Sequence, residues 1–180
     1  MWKLNEEEGN LNEKREEITA LATELFQKIT SFPYNVGRYE EETTGIVVFC
    51  RVYNSNNLIT ISVGNPSEQT QSFAIEKAVR MVTKNDYRLA MTPDVNFYTF
   101  SGVTYFPKCS IFGYTLRCGL VCSVLGLELF ENATISSILA SRLLEIPVKK
   151  IISSWPELFR DVFSEVMDDL EALVKEYGKK

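Results

Sequence analysis

The spacing of apolar residues alternates along this chain between helical and extended, and that alternation is the strongest constraint on its fold. Ile18, Leu21, Ala22, Leu25, Phe26 and Ile29 fall three and four residues apart with charges between them. This predicts an amphipathic helix over Asn12 to Thr30 that stops near Ser31-Phe32-Pro33. Gly45 to Tyr53 and Leu58 to Val63 read as two strands, and the turn-rich Asn54-Ser-Asn-Asn57 between them predicts a hairpin. Asn65-Pro66-Ser67 offers a helix start, after which Phe73, Ala74, Ala78, Met81 and Val82 form a helical face up to about Lys84. Past Pro93 the pattern is extended again, over Asn96 to Phe100, Val103 to Phe106, Ile111 to Arg117 and Gly119 to Leu125. Thr134 to Leu144 returns to helical spacing, and Pro147 closes it.

The order helix, strand, strand, helix, strands, helix predicts an α+β fold: a central, mainly antiparallel sheet flanked by helices, as in profilin-like modules. With 180 residues, 45% of them hydrophobic, the chain supports one substantial core. The expected organisation is one domain over residues 1–150 and an amphipathic helical extension over 151–180. Ser154-Trp-Pro-Glu157 has the capping-box pattern, in which a serine accepts from an orphan amide and a glutamate reaches back. Trp155, Leu158, Phe159, Val162, Phe163, Val166 and Leu170 then begin a broad apolar stripe, while Asp161, Glu165, Asp168 and Asp169 occupy the other side. Such a stripe either packs on its own domain or forms a seam for a second copy or a partner. Those seven residues are the candidate interaction residues.

Composition removes several chemistries. The chain has no histidine, so there is no Ser-His-Asp triad, no Cys-His pair and no imidazole base or ligand. The net charge of -5 disfavours nucleic acid as a partner. No apolar run reaches the roughly 18 to 20 residues that cross a bilayer, and the amino terminus is polar and acidic, so the expected address is cytoplasmic, with no membrane partner. The carboxylates of the last helix are spaced to share one face, which a solvated surface explains, and no metal site is expected.

Cysteine is the remaining reactive side chain. Cys118-Gly-Leu-Val-Cys122 has three residues between its sulfurs, not the two of redox and zinc motifs. In an extended strand those positions are about 13 Å apart at roughly 3.3 Å per residue, too far for a disulfide or a shared zinc. Cys118, Cys122 and Cys50 are therefore expected as buried, inert thiols. Cys109, beside Lys108, is the one that exposure would activate.

Three stretches carry a family likeness. Ser72-Phe-Ala-Ile-Glu-Lys-Ala-Val79, Ser101-Gly-Val-Thr-Tyr-Phe-Pro107 and Gly119 through Ala133 resemble the helix, turn and strand-to-helix segments of the GlcG/HbpS-type family, which includes haem-degrading-like proteins. The likeness covers Leu58 to Leu144. It implies a GlcG-like fold, ring-like or dimer-based oligomers, and a ligand pocket formed by Lys77, Gly102, Phe106, Pro107, Gly126 and Asn132. The departures fall at polar positions: the family's double glycine reads Gly102-Val103, a serine reads Leu125, and an Asp-His pair reads Asn132-Ala133. Haem binding does not carry over, since no histidine is present to ligate iron, and no cofactor is expected. The expected function is a non-catalytic, oligomer-forming protein-interaction module with no catalytic residues. The alternatives are a small-molecule or haem-type binding protein and an adaptor of the roadblock or longin kind, whose element order is similar.

Overall fold

The computed structural model of the chain describes residues 12–39, 44–51, 58–84, 102–106, 109–111, 114–116, 120–145, 147–153 and 168–178. Helix α1 spans Arg15–Thr30 and buries Ile18, Leu21, Ala22, Leu25, Phe26 and Ile29, the face that the spacing predicts. Its threonines turn inward on their own backbone: Thr19, Thr23 and Thr30 donate to the carbonyls of Arg15, Thr19 and Phe26 at 2.7, 2.9 and 3.0 Å. The helix ends where Phe32 becomes extended ahead of Pro33, which opens a single 3-10 turn, Pro33–Asn35.

Strands β1 (Gly45–Arg51) and β2 (Ile59–Val63) pair antiparallel, Gly45 opposite Val63 and Phe49 opposite Ile59, as the hairpin pattern predicts. Helix α2 (Glu68–Lys84) begins where Ser67 Oγ accepts the Thr70 N–H at 3.1 Å. Strand β3 (Gly102–Phe106) is followed by β4 (Cys109–Ile111), β5 (Tyr114–Leu116) and β6 (Leu120–Leu125). The expected single strand Ile111 to Arg117 is corrected here. Cys109 pairs with Leu116 and Ile111 with Tyr114, so the chain doubles back within that stretch and forms a separate two-stranded ribbon. Apolar alternation is indifferent to a reversal that leaves only Phe112 and Gly113 between the arms.

Helix α3 (Leu129–Leu144) starts five residues before the periodic stretch Thr134 to Leu144, because Glu131 reaches back to the Glu128 N–H at 3.0 Å and caps the first turn. It stops at Glu145, which adopts a left-handed φ of 57°. Short helix α4 (Val148–Ile152) and helix α5 (Asp168–Tyr177) complete the described elements.

The main sheet runs β2-β1-β6-β3, every neighbour antiparallel. Its two faces separate by alternation. Val47, Phe49, Ile59, Ile61, Val63, Leu120, Cys122 and Val124 share one buried cluster with α1, α3, α4 and α5. The alternate residues Ile46, Val48 and Val121 are also buried, beneath α2, which lies on β1 and β6 through Ala74 and Ala78. The architecture is thus three-layered, with α2 on one side of an antiparallel sheet and α1, α3 and α5 on the other. Leu170, Leu173, Val174 and Tyr177 of α5 join the same core as Ile18 of α1. The expected strand Asn96 to Phe100, the capping box Ser154 to Glu157 and the stripe residues Trp155, Leu158, Phe159, Val162, Phe163 and Val166 lie outside the described residues.

Candidate functional site

Among the described residues, buried polar side chains converge at the turn from β6 into α3. Gly126 has φ +134°, and a Cβ there would stand 2.5 Å from the Thr44 carbonyl oxygen and 2.7 Å from Gly45 Cα. Only glycine lets the end of β6 cross so close to the start of β1. Gly45 in turn lies against the Phe26 ring, which occupies the place a side chain would take.

The chain then enters α3 through two buried polar residues. Asn132 folds back on Leu127, its Oδ1 accepting the Leu127 N–H at 3.2 Å and its Nδ2 donating to the Leu127 carbonyl at 2.6 Å. Glu131 is 2% exposed. Its Oε1 accepts from Asn35 Nδ2 at 2.6 Å, and its Oε2 accepts from the Tyr39 hydroxyl and from the Glu128 N–H at 3.0 Å. Asn35, 1% exposed, also donates to the Ile29 carbonyl at 2.8 Å. The carboxyl group is therefore satisfied by three neutral donors, which is what permits its burial.

This network sets the chemistry of the nearby phenols. Burial, and then the hydrogen bond to Glu131, pushes the Tyr39 hydroxyl above its ordinary range. Tyr34, 45% exposed, is pushed up to about 12, by burial first and then by the charges of Glu131 and Asp169. Both phenols remain protonated at neutral pH. Arg38 stands 3.9 Å from Glu128 at the exposed rim.

Of the expected pocket residues, only Gly126 and Asn132 meet at this junction. Gly102 lies near it through its pairing with Val124, whereas Phe106 pairs with Leu120 at the far end of the strand. The four residue steps from Gly102 to Phe106 separate the two ends by about 13 Å at roughly 3.3 Å per residue. Lys77 is half-buried on α2, across the sheet from Asn132. Register and layer therefore divide the set into three places, and Pro107 lies outside the described residues. Leu170, expected as an interaction residue, is fully buried in the chain's own core.

Cys122 is a fully buried thiol on β6. Cys118 lies outside the described residues, as do the side chains of Cys50 and Cys109. Among the described residues, no group of three or more Cys, Asp or Glu is placed to hold a metal ion, and no helix is long and apolar enough to cross a membrane. The hydroxyls of Ser123 and Ser137 are buried and make no hydrogen bond among the described residues.

Sequence reasoning singles out Asn132 and passes over its neighbour Glu131, together with Asn35 and Tyr39. The local signal available is a helix start with an acid three residues in, obscured because glutamate and not serine or threonine holds the capping position. No family model, no curated protein sequence and no solved structure matches the chain.

Proposed function

We propose that this chain is a non-catalytic, oligomer-forming protein-interaction module built on a GlcG-like scaffold. The observation that carries the reading is the engagement of polar groups at the β6–α3 junction. Both amide atoms of Asn132 are bonded to Leu127, and both oxygens of Glu131 accept from Asn35, Tyr39 and Glu128. A catalytic carboxyl group needs reach to a substrate proton and a pKa matched to its task. Here the carboxyl group is enclosed and holds a helix start in place, so the junction serves architecture, and recognition is left to surfaces.

The test is the mass of the intact chain in solution, by gel filtration with light scattering across a wide concentration range. A mass above the 20.5 kDa of one chain supports the reading. A monomer at every concentration removes the self-association from it. Removing the carboxy-terminal segment is unsuitable for this purpose, because Leu170, Leu173 and Val174 belong to the shared core and their loss would unfold the protein. Turnover of any substrate abolished by Glu131→Gln, in a variant that remains folded, would overturn the non-catalytic part.

A further inference from the structure

Strand β2 is an edge of the main sheet, with β1 on one side and no strand on the other among the described residues. Open edges are ordinarily blunted by charge, proline, a bulge or a covering element. Among the described residues, this one has little of that protection. Its register with β1 is unbroken over five consecutive pairs, which leaves no bulge. Between Arg51 and Glu68 the sequence has no charged residue, in a chain that is 24% charged. Among the described residues, the side chain that reaches the edge is Arg15, whose guanidinium donates to the Thr60 carbonyl at 3.4 Å, a long and exposed bond.

The flank of α1 above this edge is equally plain. Arg15, Thr19 and Thr23 follow one another at four-residue steps, and both threonine hydroxyls are occupied by their own helix. No carboxylate stands in that row, and apart from Arg15 its side chains are small.

We propose that the β2 edge is a self-association surface, on which a second copy of this chain adds its own β2 antiparallel and continues the sheet across a two-fold axis at Ile61. This deepens the interaction-module reading and rests on it. The strand is self-complementary in that register. Thr60 faces Ser62 of the second copy, polar against polar on the face where Ser62 is exposed, and Ile59 faces Val63 on the face covered by α1. The hydrogen-bond parity also fits. The Thr60 carbonyl is on the open side, where Arg15 reaches it, and alternation puts the polar groups of Ser62 on that side as well. Thr60 and Ser62 of opposing copies therefore exchange backbone hydrogen bonds in pairs, and Arg15 is released from its carbonyl. A neutral strip matters for a chain of net charge -5, because it lets two like-charged molecules meet without opposing carboxylates at the contact.

The test compares three forms of the intact chain by sedimentation equilibrium: wild type, Thr60→Lys/Ser62→Lys and Arg15→Ala. The double variant sets lysine opposite lysine twice across the axis and is expected to weaken the dimer by roughly tenfold or more. Arg15→Ala frees the edge and is expected to tighten it. A wild type that associates while the double variant, folded by circular dichroism, associates equally well overturns the edge assignment and leaves self-association standing. A wild type that stays monomeric overturns the underlying reading itself. Hydrogen exchange on the wild type answers the same question without a variant. The Thr60 and Ser62 amides should become protected as concentration rises, and protection that is the same at low and high concentration overturns the assignment.

Discussion

The β6–α3 junction and the β2 edge sit on one sheet and treat polar groups in opposite ways. At the junction Glu131, Asn132, Asn35 and Tyr39 are folded onto one another and onto backbone until no buried donor or acceptor in the set is left over. At the edge the Thr60 carbonyl, and by alternation the backbone groups of Ser62, face outward, with Arg15 as their side-chain contact among the described residues. A buried polar group must be satisfied within the chain, since leaving it unmet costs about 1–3 kcal/mol. An exposed edge is satisfied by water and can exchange that water for a partner at little cost. Among the described residues, the joint holds its polar side chains inward, and the β2 edge leaves backbone groups open, which is why the proposed contact is placed there.

The comparison breaks if the joint tolerates change. Gly126→Ala has the largest expected effect, because φ +134° is a conformation that side-chain-bearing residues avoid and the added Cβ would meet backbone at 2.5 and 2.7 Å. Neither neighbour is a flexible side chain that can swing away, so a loss of roughly 3 kcal/mol or more is expected, read by urea denaturation. Glu131→Ala comes next. It removes the acceptor of the Tyr39 hydroxyl and of one Asn35 amide hydrogen, and leaves the Glu128 N–H with only its 3.2 Å bond to the Tyr39 oxygen, for an expected loss of about 2–4 kcal/mol by the same measurement. If Glu131→Ala left stability unchanged, the joint would not be structural and the division between the two regions would fail.

How far each region is legible in sequence follows from how local its physics is. The buried face of α1, from Ile18 to Ile29, repeats the apolar spacing residue for residue, because a helix in contact with a core needs nothing beyond its own period. The start of α2 at Ser67 is equally readable from a cap. The joint is only half readable. Asn132 stands out, but Glu131 acquires its meaning from Asn35, 96 positions away, and no spacing rule spans that separation. The family resemblance puts Phe106 and Gly126 in one pocket, whereas the strand register puts them at opposite ends of β6. The β4–β5 ribbon escapes the pattern because reversing an alternating segment preserves its alternation.

Smaller effects sharpen the contrast through pH. Tyr34 and Tyr39 both have hydroxyls held protonated more firmly in the folded chain than the ordinary value near 10. A raised folded value means the unfolded chain releases its protons first. The stabilisation is whole below about pH 10 and is lost as pH climbs toward and past about 12, where Tyr34 titrates. Thermal melts of wild type across that alkaline range should fall more steeply than those of Tyr39→Phe. At neutral pH the same substitution should cost about 1 kcal/mol, through the lost bonds to Glu131 and Glu128.

The smallest expected effect lies on the far side of α1, where α5 is pinned. Lys28 Nζ lies 2.7 Å from Glu176 and 3.4 Å from Glu24, and it sits 4.8 Å above the Tyr177 ring, whose hydroxyl donates to Glu24. The Glu176 contact, first among several, raises the lysine above its ordinary value. Its side chain is nevertheless 35% exposed, so water and salt screen most of that attraction. Lys28→Met should therefore cost no more than about 1 kcal/mol, shrinking further as salt is added, since Leu170, Leu173 and Val174 hold α5 by burial. A larger loss would mean that charge, and not the apolar face, fastens α5 to the core. The surface polar groups would then belong to the fold as fully as those of the joint do.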